Sequence, residues 1–123
     1  MIKGKPTPVQ EKAWLNRITE YGEKHGSFPL YDNYGFDRHH VKGREFKHNK
    51  CHLGRWLILP VGKDYHDVHS NNEFNVTHYP KRYTAEFGKQ VDQFVAMCAV
   101  IKSEDNDLPF GDDVMQAIME LNV

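Results

Sequence analysis

Trp56-Leu57-Ile58-Leu59-Pro60-Val61 is a six-residue apolar run, and Pro60 and Gly62 close it before it reaches helical length. A run of that length bounded by Pro and Gly favours a buried strand over a helix. The other extended segment is Phe36 to Val41, followed by a turn at Lys42-Gly43-Arg44, so a two-stranded hairpin with a long loop is expected from about 36 to 60. Both flanks carry helical spacing. Thr7-Pro8-Val9-Gln10 has the spacing of a capping box with Pro at the first helical position, and Trp14, Leu15, Ile18 and Tyr21 predict a helix over 8–21 that stops at Gly22. The stretch from His25 to Gly43, rich in Gly, Pro, Asn and aromatic residues, predicts a loop leading into the first strand. Downstream, a short helix begins at Lys63 or Asp64, another spans 79–87 and ends at Gly88, and Gln90 to Ile101 carries a stripe of Val91, Phe94, Val95, Cys98 and Ile101. Residues 112–122 complete the set, with acids at the start and Val114, Met115, Ile118 and Leu121 at core spacing. The expected class is α+β.

At 123 residues the chain fits one compact domain over 1–123. Two cysteines cannot build a multi-bridge scaffold, and no C-x-x-C pair is present. No apolar run follows the first lysines and none approaches the ~20 residues of a membrane span, so the expected setting is the cytoplasm, with no membrane partner. The net charge is −1, yet it is unevenly placed. Arg38 to Arg55 holds six basic residues and one acid, whereas the chain from Ser103 onward holds six acids and no Lys or Arg. The total hides a dipolar chain, so a polyanionic partner is not excluded.

Seven of the eight histidines fall between His39 and His78, within and just beyond that basic stretch. Adjacent strand residues face opposite ways, so one imidazole of His39-His40 can hold a metal while the other approaches a substrate. The pair is followed by Lys42-Gly43-Arg44, by His52 in Cys51-His52-Leu53-Gly54-Arg55-Trp56, and by His66 in Leu59-Pro60-Val61-Gly62-Lys63-Asp64-Tyr65-His66.

In this order, with Asp37-Arg38-His39-His40 leading, the sequence resembles the HNH, or ββα-metal, endonuclease superfamily over roughly residues 8–100. Within it the chain is most similar to the phage-encoded Ref-type recombination-promoting nucleases, which share a His-His-x-x-Gly-Arg element, a Leu-Pro step, a helical His and an aromatic-rich segment like Asn75-Val76-Thr77-His78. The resemblance implies a ββα-metal hairpin-helix core at about 36–70, within a motif region at 36–72, flanked by the N-terminal helix (8–22) and C-terminal helices (79–122). It implies a DNA endonuclease or nickase of phage or integrated-element origin, acting in recombination or DNA processing and leaving 5′ phosphate and 3′ hydroxyl ends. His40 would be the general base, a task suited to an imidazole pKa near the working pH. His39 and His66 would hold one divalent ion, Mg²⁺ or Mn²⁺ by family analogy, with Zn²⁺ or Ni²⁺ also suited to imidazole. His52 would fix the loop and orient the base, and Arg44 would clamp phosphate. DNA is the implied partner, with a host recombinase as a second.

The chain also departs from the family. Gly62 and Tyr65 stand where a Cys-x-x-Cys would precede the helical histidine, so no structural zinc is expected and packing around Trp56, Phe36 and the flanking helices must hold the hairpin. His69 either adds a ligand from one turn beyond His66 or sits on the surface. Lys42, Lys47, Lys50 and Arg55 either line a DNA groove or form a solvated face, and Lys81 and Arg82 are weaker DNA-contact candidates. His25, His48 and His78 fit ordinary surface or loop positions, and Trp14, Trp56 and Phe94 fit the core. Two further readings stay open: a non-catalytic nucleic-acid-binding module with a structural metal, and a degenerate nuclease fold that uses its acidic C-terminal helix for protein contact.

Overall fold

A computed structural model describes residues 2–25 and 35–123. The chain is α+β. Its elements are α1 (Pro8–His25), β1 (Phe36–His40), β2 (Lys47–His48), β3 (Cys51–His52), β4 (Ile58–Gly62), α2 (Lys63–His66), α3 (Pro80–Phe87), α4 (Gln90–Asp105) and α5 (Asp112–Met119). The loop expected before β1 lies at 26–34 outside the described residues.

The capping box at the start of α1 forms in both directions: Thr7 N–H donates to Gln10 Oε1 at 2.9 Å, and Gln10 N–H donates to Thr7 Oγ1 at 3.2 Å. The helix does not stop at Gly22. It runs on to His25, and Gly22 is a packing position, because a Cβ there would meet the Phe36 ring at 2.6 Å. Glycine lets α1 and β1 approach closely. Beyond that contact, Arg17 of α1 reaches the end of α4, donating to Asp105 Oδ2 at 2.7 Å and Glu104 Oε1 at 2.8 Å.

β1 and β4 form the expected antiparallel pair, with Phe36 opposite Gly62, His39 opposite Leu59 and His40 opposite Ile58. Each strand of a two-stranded sheet has one edge without a ladder, which is where a strand proline such as Pro60 is tolerated. The segment between them folds on itself as the β2–β3 hairpin, in which Lys47 faces His52. Chain 2–6 crosses that hairpin: Lys3 N–H donates to the Lys50 carbonyl and His52 N–H to the Lys3 carbonyl, both at 2.8 Å.

β4 is buried along its whole length. Beside it Trp14, Trp56, Phe94 and Phe110 pack mostly edge to face, with ring centroids 5.2–6.4 Å apart. Their polar edges are satisfied, since Trp14 Nε1 donates to the Trp56 carbonyl at 2.8 Å and Trp56 Nε1 to the Gly4 carbonyl at 2.6 Å.

α2 is one turn long and lacks a side-chain cap, and Asp67 after it is extended (ψ 130). The fully buried Asn75 holds the loop that follows. Its Nδ2 donates to the Asp67 carbonyl at 2.9 Å, and its Oδ1 accepts from Thr77 N–H at 2.8 Å and His78 N–H at 3.1 Å. A side-chain amide therefore ties down the segment after α2. α3 ends at Gly88 as expected, with φ +92. α4 extends four residues past Ile101, to a left-handed cap at Asn106. Among the described residues no helix is long and apolar enough to cross a membrane.

Candidate metal and phosphodiester site

The alternation of β1 places Asp37 and His39 on one face and Arg38 and His40 on the other. α2 follows β4 without a linker and brings His66 to β1. The His39 and His66 rings lie with centroids 4.9 Å apart and planes at 60°. Each ring is gripped from outside the pair. His66 Nδ1 donates to Asp37 Oδ2 at 3.0 Å, and His39 Nε2 donates to Gln90 Oε1, at the start of α4, at 2.8 Å. With one nitrogen of each ring donating, the lone pairs available to a cation are on His66 Nε2 and His39 Nδ1. Metal-binding histidines are held in this way by a carboxylate or carbonyl on the far nitrogen. Two imidazoles sharing one ion at ~2.1 Å per nitrogen have centroids roughly 5 Å apart, and edge-to-face ring packing has the same separation, so the 4.9 Å found here is compatible with either. Among the described residues no group of three or more His, Cys, Asp or Glu is placed to hold a metal ion.

Burial holds His39 neutral, lowering its pKa to about 4 against a smaller opposing effect of the Gln90 hydrogen bond. An uncharged imidazole is the form a cation needs. His40, on the other face, is half-buried. Burial lowers its pKa, partly opposed by the nearby Glu11 carboxylate, so it too is neutral and able to accept a proton near pH 7. It opens on a groove of about 940 Å³ between α1 and β1, which Asn16, Thr19, Arg38, Lys63 and His66 also line. His40 and His66 thus share one opening, while His39 sits deeper, against α4.

The remaining expected site residues are placed differently. His52 is fully buried. Its Nε2 accepts from Arg55 N–H at 3.3 Å and its Nδ1 has no hydrogen-bond partner among the described residues, so it fixes the turn at 52–55 and makes no hydrogen bond to His40. His69 does not extend the pair: α2 ends at His66 and the chain straightens at Asp67, so no helical turn carries His69 back. It is exposed and lines a separate cavity with Lys63, Asp64, Asp67 and Ser70.

Arg44 is engaged by Glu11 of α1, donating from Nε to Oε2 at 3.1 Å and from Nη2 to Oε1 at 3.0 Å, which holds the Glu11 carboxyl below the usual range. Arg55 is not a free DNA contact either. Its largely buried side chain donates to Glu45 at 2.6 Å and lies 3.9 Å from Glu11. Lys42, Lys47 and Lys50 are exposed, Lys42 over the Phe46 ring at 5.2 Å. His25 and His48 pair with Glu104 and Glu120, and His78 donates to the Val68 carbonyl, which fits their reading as surface and loop residues.

The spacing pointed to neither of the two groups that grip the histidine pair. Asp37 carries a legible signal, since two residues before His39 on a strand is the same face. Gln90 lies 51 residues from His39 with no motif around it, and only the packing of α4 against β4 brings it there. No protein-family model matches the chain, and no match to it is found among curated proteins or solved structures.

Proposed function

We propose that this chain is a metal-dependent DNA endonuclease or nickase of the HNH type, with β1, β4 and α2 as its ββα-metal core. The observation that carries the reading is the His39–His66 pair at 4.9 Å, tied at its outer nitrogens and adjoining the groove that holds a neutral His40.

A divalent ion held by His39 and His66 would neutralise a phosphodiester and stabilise the leaving 3′ oxygen, with its other positions left to water and phosphate. His40 takes the proton from the attacking water. On the groove wall Arg38 and Lys63 would attract a phosphate chain while Glu23 and Asp37 oppose them, so the net pull comes from the exposed Lys42, in the turn after β1, and Lys47 and Lys50 of the β2–β3 hairpin. Mg²⁺ or Mn²⁺ is the working ion by the family resemblance, although two imidazoles also suit Zn²⁺ or Ni²⁺. The same resemblance supports a phage or integrated-element origin, a role in recombination in the host cytoplasm, and partnership with a host recombinase.

The test is incubation of supercoiled plasmid with the purified protein and Mg²⁺, Mn²⁺, Ni²⁺ or Zn²⁺, beside a His40→Ala variant. Metal-dependent nicking that His40→Ala abolishes supports the proposal. Retention of DNA in a gel shift with no nicking in any metal overturns it in favour of a binding module.

A further inference from the structure

We infer that Gln90 is a positioning residue for this site: by accepting the Nε2–H of His39 it fixes that tautomer and makes Nδ1 the nitrogen that binds the ion. The inference rests on the proposed metal-dependent function.

Gln90 is 7% exposed and opens α4, whose Val91, Phe94, Met97, Cys98 and Ile101 are locked in the core. The turn that carries it is braced from the chain end, by Val91 N–H donating to the Val123 carbonyl at 3.1 Å and Lys89 Nζ to Asn122 Oδ1 at 2.7 Å. Its carbonyl is therefore presented by a rigid element, and a buried glutamine needs a partner in any case. The two histidines are gripped through opposite nitrogens. His66 is held at Nδ1 and offers Nε2, whereas His39 is held at Nε2 and offers Nδ1. Without Gln90 the His39 ring could exchange tautomers or rotate, and it would spend part of its time with Nδ1 protonated and closed to a cation.

The experiment uses the ¹⁵N-labelled full chain, with Zn²⁺ as a diamagnetic probe. Long-range ¹H–¹⁵N spectra of the imidazoles are expected to show His39 protonated at Nε2 and bare at Nδ1 before metal, with Zn²⁺ moving the Nδ1 resonance. Gln90→Leu should weaken Zn²⁺ binding about ten- to a hundredfold in competition with a chelating dye. Gln90→Glu, which keeps an acceptor at the same place, should bind at least as tightly as the parent. A parent His39 protonated at Nδ1, or a folded Gln90→Leu variant that binds Zn²⁺ within twofold of the parent, overturns the inference. Should Gln90→Leu fail to fold, the parent tautomer and Gln90→Glu decide it. A parent that binds no metal overturns the metal reading and this inference together, whereas a parent that binds while Gln90→Leu is unaffected overturns this inference alone.

Discussion

His66 Nδ1 donates to Asp37 Oδ2 at 3.0 Å, joining the end of α2 to the strand that carries His39 and His40. The pair is partly exposed, with 28% and 35% of its side chains accessible, so its weight in stability is small. Its weight in ion binding is expected to be larger. Asp37→Asn should lower metal affinity and nicking rate roughly tenfold or more while moving the melting temperature little. Isothermal titration with Mn²⁺ beside a thermal melt separates the two effects.

The pH dependence of cleavage should report His40. A base works in its neutral form, and burial lowers this pKa below the ordinary histidine value. Nicking should therefore persist below pH 6.5 and decline only as the pH falls through the folded pKa. The Glu11 carboxylate opposes the shift, so Glu11→Gln should move the acid limb to still lower pH. Single-turnover rates across pH 4.5–8 check this, and an acid limb at or above pH 6.5 would contradict it.

Stability should fall over a neighbouring range because of His39. Its folded pKa of about 4 lies below the unfolded value near 6.5, so the unfolded chain binds the proton first as pH drops. The contribution is complete above pH 6.5 and is lost towards pH 4, at up to 1.36 kcal/mol per pH unit, or roughly 3 kcal/mol in all. His40 and His52, also lowered by burial, act in the same direction. Glu104, held at about 2 by Lys24, Arg17 and His25, acts only at lower pH. Urea denaturation at pH 7, 6, 5 and 4.5 should show this slope, and His39→Gln should flatten it by up to one proton.

Glu11 is the carboxylate between Arg44 and Arg55. Arg44 is over half exposed and can return to water, but Arg55 is only 14% exposed and its Nε makes no hydrogen bond among the described residues. Removing Glu11 strips negative charge from beside a nearly buried guanidinium. Glu11→Ala should cost about 2 kcal/mol, with Arg55 still held by Glu45, and Arg44→Ala, which takes both hydrogen bonds from the buried Glu11 carboxylate, should cost about 1–2 kcal/mol. Chemical denaturation of the two variants gives the ranking.

Asn75 secures the segment after α2 through the Asp67 carbonyl and the Thr77 and His78 amides. Asn75→Ala leaves those groups unpaired and should cost about 2–4 kcal/mol. Amide exchange should accelerate first at residues 76–78, where the donors are. Uniform acceleration across β1 and β4 instead would show that Asn75 supports the whole fold.

Much of the helix and strand pattern was legible because local rules wrote it: the Thr7–Gln10 capping box and the Gly88 cap each act within a few residues, whereas Pro60 does not close the strand but sits inside β4, which runs on to Gly62. Gly22 misled for a physical reason. A glycine can end a helix or allow close packing, and only the position of Phe36 decides between them. The order His39, His40, His66 was legible, and the structure sets the His39 and His66 rings side by side and opens His40 and His66 on one groove. His52 was legible as a histidine but not as a buried one, since its burial comes from the hairpin and the crossing 2–6 segment. His69 was misplaced because the spacing assumes that the helix continues, whereas α2 ends at His66. The acids that occupy Arg44 and Arg55 come from α1 and from the adjoining turn, and no local pattern announces such pairing. Gln90 is the extreme case, a ring partner supplied by tertiary packing alone.

Gly22 has a bearing on engineering. The groove that His40 faces is bounded by α1 on one side and β1 on the other, and these walls meet where Gly22 touches the Phe36 ring. A methyl group there would fall 2.6 Å from Phe36 Cζ, so either the Phe36 ring turns aside or the helix and strand part. Gly22 does not itself line the groove, but the Phe36 ring that it touches does. A substitution at position 22 would thus be felt first at the Phe36 ring, which lines the groove, and only through it at the groove itself.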